Sequence, residues 1–196
     1  MVQLSGERPT TSSPICGLTA DCSAPSITKH GSTPTTDGFS INGDNIANQD
    51  KYNDVDTVTA KVGQLVNFKA RVYDDFGLNS VESVILYFDM PGAADWSYSN
   101  ASIKYSASSG TVTIGDDNNL FNADVSSAVV TNPYGDDSSL ELLDVTFKVM
   151  FNGPMDTSHI AVQSIDDMGN YQIIYFKDAL EVVGQSTSAT PTAGED

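Results

Sequence analysis

Positive charge is scarce in this chain. Lys and Arg together number 9 against 26 Asp and Glu in 196 residues, which gives a formal net charge of −17. Such a surface repels nucleic-acid phosphates and anionic lipids, so we expect no nucleic-acid partner and favour cations, neutral glycans or other proteins. The alternative for most of these carboxylates is that they only keep the protein in solution.

Long apolar runs are also lacking. No segment approaches the roughly 18 consecutive apolar residues of a membrane-spanning helix, and residues 1–8 lack the apolar segment of a signal peptide. We therefore expect no direct membrane insertion. Low lysine content with abundant Thr, Ser, Asn and Asp is nevertheless typical of a mature exported protein, which predicts an extracellular or cell-surface location.

Cysteine is limited to Cys16 and Cys22. No histidine lies close to this pair, and its spacing is poor for zinc. The pattern therefore favours a disulfide that closes a small loop, which is typical of proteins outside the cytosol. Two free thiols in a cytosolic protein are the alternative, which the proline-rich surroundings make less attractive because exposed thiols oxidise.

The two ends of the chain differ in composition from the middle. Residues 1–24 are rich in Pro, Ser and Thr and bury too little apolar area to offset chain entropy, so they are predicted to be a disordered leader. Residues 185–196 resemble a flexible Ser/Thr/Pro-rich linker. We expect one folded domain over residues 25–184.

Apolar residues alternate with polar ones throughout this domain, as they do in strands with one buried face. The clearest examples are Val66 to Tyr73, Leu143 to Phe151 and Val58 to Val62, and Val84 to Phe88 is apolar on both faces, as in a central strand. Gly, Asn, Asp and Pro turns separate the strands, and no helical period occurs. The pattern predicts an all-β fold, specifically an antiparallel β-sandwich.

Two turns repeat nearly the same sequence at the ends of predicted strands. Tyr73-Asp74-Asp75-Phe76-Gly77 follows one strand, and Ile165-Asp166-Asp167-Met168-Gly169-Asn170 follows another. Each is an acidic turn with a glycine that tolerates positive φ, placed where a strand must reverse. Because alternate strands of a sandwich run in the same direction, we expect both turns to share one pole.

The stretch from Val66 to Tyr87, with its Asp-Asp-Phe-Gly turn, resembles the B strand, B–C turn and C strand of immunoglobulin-like domains in bacterial and archaeal surface proteins. Residues 164–170 resemble the F–G turn, and residues 24–28 resemble the entry into a first strand. The resemblance is strongest for secreted proteins of ammonia-oxidising archaea. It implies an immunoglobulin-like sandwich with no particular activity. The chain lacks the inter-sheet cysteine pair and core tryptophan of antibody domains.

Calcium is the metal that these turns favour, since it takes six to eight oxygen ligands from carboxylates, amides and carbonyls. Carboxylates gathered at one pole repel one another unless a cation lies between them. The alternative is ordinary turn chemistry without metal. The candidate calcium ligands are Asp74, Asp75, Asp166, Asp167 and Asn170.

A second candidate site is aromatic. Trp96, Tyr98 and Tyr105 lie in or near a long loop and could stack on sugar rings, although packing against the domain is the alternative. Asn100-Ala101-Ser102 is an N-glycosylation sequon, so Asn100 is a candidate glycosylation site.

No catalytic constellation is present in the sequence: no Gly-x-Ser-x-Gly motif occurs, and the two histidines have no recognisable nucleophile partner. The sequence therefore predicts a non-enzymatic, calcium-stabilised structural or adhesion module that contacts surface proteins, itself or glycans. The alternative hypothesis is a carbohydrate-binding or other ligand-binding accessory domain of a larger secreted protein.

Overall fold

The computed structural model describes residues 21–30, 33–34, 37–46, 50–90, 95–123, 126–131 and 142–186. These residues form an all-β fold with two short 3-10 helices, at Leu78–Ser80 and Trp96–Tyr98. The all-β prediction is confirmed. The strands are β1 (Lys29–His30), β2 (Thr33–Pro34), β3 (Phe39–Ile41), β4 (Asp44–Asn45), β5 (Tyr52–Asp54), β6 (Val58–Lys61), β7 (Leu65–Tyr73), β8 (Val81–Met90), β9 (Ala101–Ser106), β10 (Thr111–Asp116), β11 (Ser127–Thr131), β12 (Leu142–Met150), β13 (Met155–Asp166) and β14 (Tyr171–Val183).

Two sheets form a sandwich-like arrangement. The larger sheet has the order β10-β9-β8-β13-β14-β5, with β6 also paired to β14, and the smaller sheet has the order β11-β12-β7-β3-β4. Strands β1 and β2 form a separate ribbon. The alternation along β7 and β12 points one side of each strand inward, so both sheets contribute to one core.

Phenylalanines fill the space between the sheets. Phe88 of β8 makes edge-to-face contacts with Phe68, Phe121 and Phe151, at ring-centroid distances of 5.1, 5.3 and 6.0 Å. All four side chains are at most 1% exposed. Because Phe68 belongs to the smaller sheet, these contacts join the two layers.

Part of the predicted antiparallel arrangement is wrong. Strands β5 and β6 both run parallel to β14, with Tyr52 opposite Tyr175 and Val58 opposite Leu180. The chain leaves the smaller sheet after β4 and returns along the edge of the larger one. Alternation reports which face of a strand is buried and carries no information on the direction of its neighbour, so the sequence pattern missed this pairing.

Strand β14 contains a backbone irregularity at Asp178. This residue has a φ of 50°, and its backbone N–H donates to Nδ1 of His159 at 2.9 Å. The register with β13 shifts at this point. This irregularity lets one strand pair with β5 and β6 in succession.

The predicted leader overlaps the described structure at residues 21–24. Asp21 is 6% exposed, so contact with the domain begins before residue 25. The rest of the leader, including Cys16, and residues 187–196 of the linker lie outside the described residues, and the disulfide between Cys16 and Cys22 stays a prediction. Over the described ranges, no helix has the length and apolar character needed to cross a bilayer.

Candidate functional site

The two similar turns lie side by side at one end of the sandwich. The first connects β7 to β8 across the two sheets, and the second connects β13 to β14. The backbone N–H of Asp167 donates to the carbonyl oxygen of Ser80 at 2.8 Å, which ties the second turn to the first. Together with Asp21 from the N-terminal segment, they form a surface that we call the acidic pole: Asp21, Asp74, Asp75, Asp166 and Asp167.

In the first turn, the carboxylate of Asp74 is only half used by local hydrogen bonds. Its Oδ1 accepts from the backbone N–H of Phe76 at 2.9 Å, and Gly77 supplies the positive φ of 94° that completes the turn. Oδ2 is buried and accepts no hydrogen bond within the described ranges, while Asp74 is 3% exposed. The Ser80 hydroxyl lies close by but donates to the Gly77 carbonyl at 2.7 Å.

In the second turn, the carboxylate of Asp166 is fully used. Its Oδ1 accepts from the backbone N–H groups of Met168 at 3.0 Å and Asn170 at 2.6 Å, and its Oδ2 accepts from Asn170 Nδ2 at 2.7 Å. Asp166 therefore shapes this turn by accepting hydrogen bonds from the backbone that follows it, as an aspartate does in an Asx turn. Asn170 Nδ2 also donates to the carbonyl oxygen of Asp21 at 3.3 Å.

Asp21 is a residue of the acidic pole that sequence analysis missed. Its Oδ1 accepts from the Ser23 backbone N–H at 3.0 Å. Its Oδ2 is buried and, like that of Asp74, has no hydrogen-bond partner in the described part of the chain. The sequence places Asp21 beside Cys22 in a region of leader-like composition, so only its contact with the second turn identifies it.

Burial and like charge act together on these two carboxyl groups. Burial raises the pKa of Asp21, and the nearby charges of Asp166, Asp75 and Asp167 raise it further, against a lowering by the Ser23 hydrogen bond. Burial likewise raises the pKa of Asp74, against a lowering by the nearby Ser80 hydroxyl and the Phe76 backbone N–H, and the charges of Asp21 and Asp75 add smaller increases. The ionised forms of both groups are thus penalised in the folded protein.

The remaining pole residues are at its rim. Asp75 and Asp167 are exposed, and Asp75 Oδ2 accepts a hydrogen bond from the Ser23 hydroxyl at 3.2 Å. Across the residues that the structure describes, no three His, Cys, Asp or Glu side chains converge closely enough to hold a metal between them. A cation at this pole would therefore take fewer than three carboxylates directly, with carbonyl and water oxygens completing its shell.

The three predicted aromatic ligands do not form one surface. Tyr105 packs against the core between the sheets. Trp96 lies instead on the outer face of the larger sheet, with its ring 5.5 Å from that of Tyr87. Tyr98 is 62% exposed and Trp96 is 44% exposed. The sequence did not predict this separation, because the orientation of Tyr105 follows from its register in β9.

The outer face of the larger sheet carries further aromatic residues that the sequence analysis did not group. Tyr52 stacks on Tyr175 at 5.2 Å, and Tyr175 and Tyr87 belong to one apolar cluster with Ile173. Exposed rings border this cluster, with 45% of Tyr52 and 58% of Tyr171 exposed. We call these residues the outer aromatic cluster: Tyr52, Tyr87, Trp96, Tyr171 and Tyr175.

At the centre of this cluster, Tyr87 is expected to ionise late in an alkaline titration. Its hydroxyl donates to Gln163 Oε1 at 2.7 Å, and burial raises its pKa from 10.0 to about 12. Because the folded state favours the neutral phenol, Tyr87 contributes stability that is complete below pH 10.0 and is lost as the pH rises through about 12. Urea unfolding at rising pH, combined with tyrosinate absorbance, measures both effects.

The control for this titration is Tyr87→Phe, which should remove one late-ionising group and flatten the alkaline fall in unfolding free energy. Tyr175 has a pKa raised by burial as well, so a smaller slope should remain. If all tyrosines ionised together with a pKa near the ordinary value of 10.0, the buried placement of Tyr87 would be contradicted.

The predicted glycosylation site lies on the surface. Asn100 is exposed, and its Nδ2 donates to Oδ2 of Asp89 at 3.0 Å. Its neighbour Ala101 is the first residue of β9. The side chain is therefore placed at a loop-to-strand junction, and its glycosylation stays a prediction.

Comparison with known proteins does not identify a family. No family model and no curated protein matches the chain. Among solved structures, one similar chain is a DUF4466 family protein from Parabacteroides merdae, with 13% identity and a TM-score of 0.28. The alignment covers 63% of this chain and 40% of that one. A TM-score this low carries no conclusion about fold or function.

Proposed function

We propose that this protein is a non-enzymatic module of an extracellular or cell-surface protein, with a structural or adhesive role and with calcium stabilising its acidic pole. Its sandwich is of the immunoglobulin type. The strand order of the two sheets carries the proposal. The formal charge of −17 supports an exposed, solvated surface.

The strand order supports an immunoglobulin-like topology of the variable type. In the smaller sheet, β3, β7, β12 and β11 occupy the positions of strands A, B, E and D. In the larger sheet, β14, β13 and β8 correspond to G, F and C, and β9 and β10 lie where variable-type domains add C′ and C″. The two acidic turns then correspond to the B–C and F–G loops, which lie at one end of such a domain.

Two measurements test this role. Biotinylation of intact cells that produce the native protein should label the domain if it is displayed outside, and an unlabelled protein in intact cells that becomes labelled after lysis would contradict that location. Sedimentation velocity over a wide concentration range tests self-association. If the protein is a monomer at every concentration, self-association is excluded as its role and adhesion to other molecules is left.

A carbohydrate-binding role is the second candidate, and the outer aromatic cluster is the observation that favours it. Exposed rings on the outer face of the larger sheet provide an apolar surface on which sugar rings can stack. Neutral glycans also avoid the repulsion that the acidic surface imposes on anionic polymers. In this version Trp96 and Tyr52 contact the ligand, whereas Tyr105 lies in the core.

A glycan array tests this second candidate. Trp96→Ala should weaken binding of any glycan recognised by this face at least tenfold, because the exposed ring supplies stacking area. Phe76→Ala is a matched control, since Phe76 is 51% exposed but lies on the first acidic turn. Binding that survives Trp96→Ala, or no binding to any glycan, would overturn the role of the outer aromatic cluster.

A further inference from the structure

We infer that Asp21 and Asp74 are the anionic ligands of a calcium site that joins the N-terminal segment to the turn after β7. The inference rests on the calcium-stabilised module proposed above and gives it a specific ligand pair. It differs from the ligand set that the sequence predicts, because it adds Asp21 and assigns Asp166 and Asn170 a positioning role.

The unpartnered oxygens are the first reason. Oδ2 of Asp21 and Oδ2 of Asp74 are both buried and accept no hydrogen bond from the described residues, since the Ser80 hydroxyl near Asp74 donates to the Gly77 carbonyl oxygen. The two residues are 6% and 3% exposed. A buried carboxylate oxygen without a partner is costly, and buried charges in proteins are normally paired or bound to metal. Two such oxygens at one pole are best explained by a shared cation.

The second reason is that no Lys or Arg side chain in the described part of the chain forms an ion pair with the acidic pole. The ion pairs between described residues involve Asp37, Asp54, Asp144 and Asp178, which lie outside the acidic pole. The pole therefore gathers five carboxylates with no Lys or Arg bound to them in the described ranges. A divalent cation would offset this repulsion where the protein itself does not.

The hydrogen bonds of the second turn give Asp166 and Asn170 a positioning role. Three donors already occupy the carboxylate of Asp166, and Asn170 Nδ2 donates to Asp166 Oδ2 and to the Asp21 carbonyl oxygen. These two residues therefore position Asp21 over the pole. Asp75 and Asp167, at the exposed rim, are placed to act through water.

Calcium fits this arrangement better than magnesium. Two carboxylates with carbonyl and water oxygens suit the flexible shell of six to eight ligands that calcium accepts. Magnesium requires a stricter octahedron and gives up its water reluctantly. Binding would also fix the segment at Asp21 against the sandwich, because one ligand comes from that segment and the other from the β7–β8 connection.

Calorimetric titration of the full chain with calcium chloride tests the site. The wild-type protein should bind calcium, and Asp21→Asn and Asp74→Asn should each weaken binding at least tenfold. Asp117→Asn is the matched control, because Asp117 is an exposed aspartate in a loop outside the pole, and its affinity should equal that of the wild type. Magnesium should compete poorly.

Thermal melts in chelator separate loss of a ligand from loss of the fold. Asp21→Asn and Asp74→Asn should melt no earlier than the wild type in chelator, because each removes an unpaired buried charge. Both should lose the rise in melting temperature that calcium gives the wild type. Asp166→Asn should melt earlier even in chelator, because it disrupts the turn itself.

Several outcomes would overturn the site. They are no calcium binding by the wild type, unchanged affinity in Asp21→Asn or Asp74→Asn, an equal loss in Asp117→Asn, and equal binding of magnesium. Surface labelling of cells is independent of these results. A protein that is displayed outside the cell but binds no calcium would therefore refute the site and the calcium stabilisation, and leave the extracellular structural or adhesive module in place.

Discussion

Phe88→Ala should lower the free energy of unfolding by about 3–5 kcal/mol, the usual cost of removing a fully buried phenylalanine side chain. Phe88 of the larger sheet is 0% exposed and contacts three other phenylalanine rings, among them Phe68 of the smaller sheet, so the cavity would open where the layers meet. Since a whole domain is stabilised by only about 5–15 kcal/mol, this one change should bring it close to unfolding. Urea denaturation measures the loss.

Phe76→Ala is the control for this core substitution. The side chain of Phe76 is 51% exposed, so its removal should change the free energy of unfolding by no more than about 0.5 kcal/mol. A loss below about 1 kcal/mol in Phe88→Ala would mean that neighbouring rings collapse into the space, contrary to the rigid packing expected of a core.

Asp144→Ala should lower the free energy of unfolding by about 2–3 kcal/mol, because it breaks a largely buried ion pair. Asp144 accepts two hydrogen bonds from Arg71, at 2.7 Å from Nε and 2.8 Å from the terminal nitrogen, and the two side chains are 10% and 20% exposed. Removing the carboxylate takes two hydrogen bonds from the Arg71 guanidinium, which is mostly buried. The expected cost lies below the value for a fully buried pair because Arg71 also binds Asp37.

A double-mutant cycle distinguishes a buried charge from a simple loss of contacts. Arg71→Met combined with Asp144→Leu should be more stable than Asp144→Leu alone, because apolar side chains of similar size replace both charges. Urea unfolding of Arg71→Met, Asp144→Leu and the double variant gives the coupling energy. A double variant that is no more stable than Asp144→Leu would show that the ion pair itself is required.

The two proposed binding regions lie on different parts of the molecule. The acidic pole is formed by turns at one end of the strands, whereas Tyr87 and Tyr175 lie along the outer face of the larger sheet. Variants at one region should therefore leave the other unchanged, since distant sites without shared partners act independently. This separation lets calcium binding and glycan binding be tested in the same protein.

Local patterns were sufficient to predict several strands, among them β7 and β12, and the two turns. The alternation along Val66 to Tyr73 and Leu143 to Phe151 reflects one buried and one exposed face, which is a property of each strand by itself. The Asp-x-x-Gly turns were likewise readable because their hydrogen bonds are within the turn, as in the bond from Phe76 N–H to Asp74.

Tertiary structure alone decided which distant residues meet. By itself the sequence determined an acidic all-β chain with two aspartate turns, since composition, alternation and turn chemistry are local. Strand pairing determined the parallel edge along β14, the inward orientation of Tyr105 and the meeting of Trp96 with Tyr87. The place of Asp21 beside Asn170 depends on a contact across 149 positions of the chain, which no local pattern records.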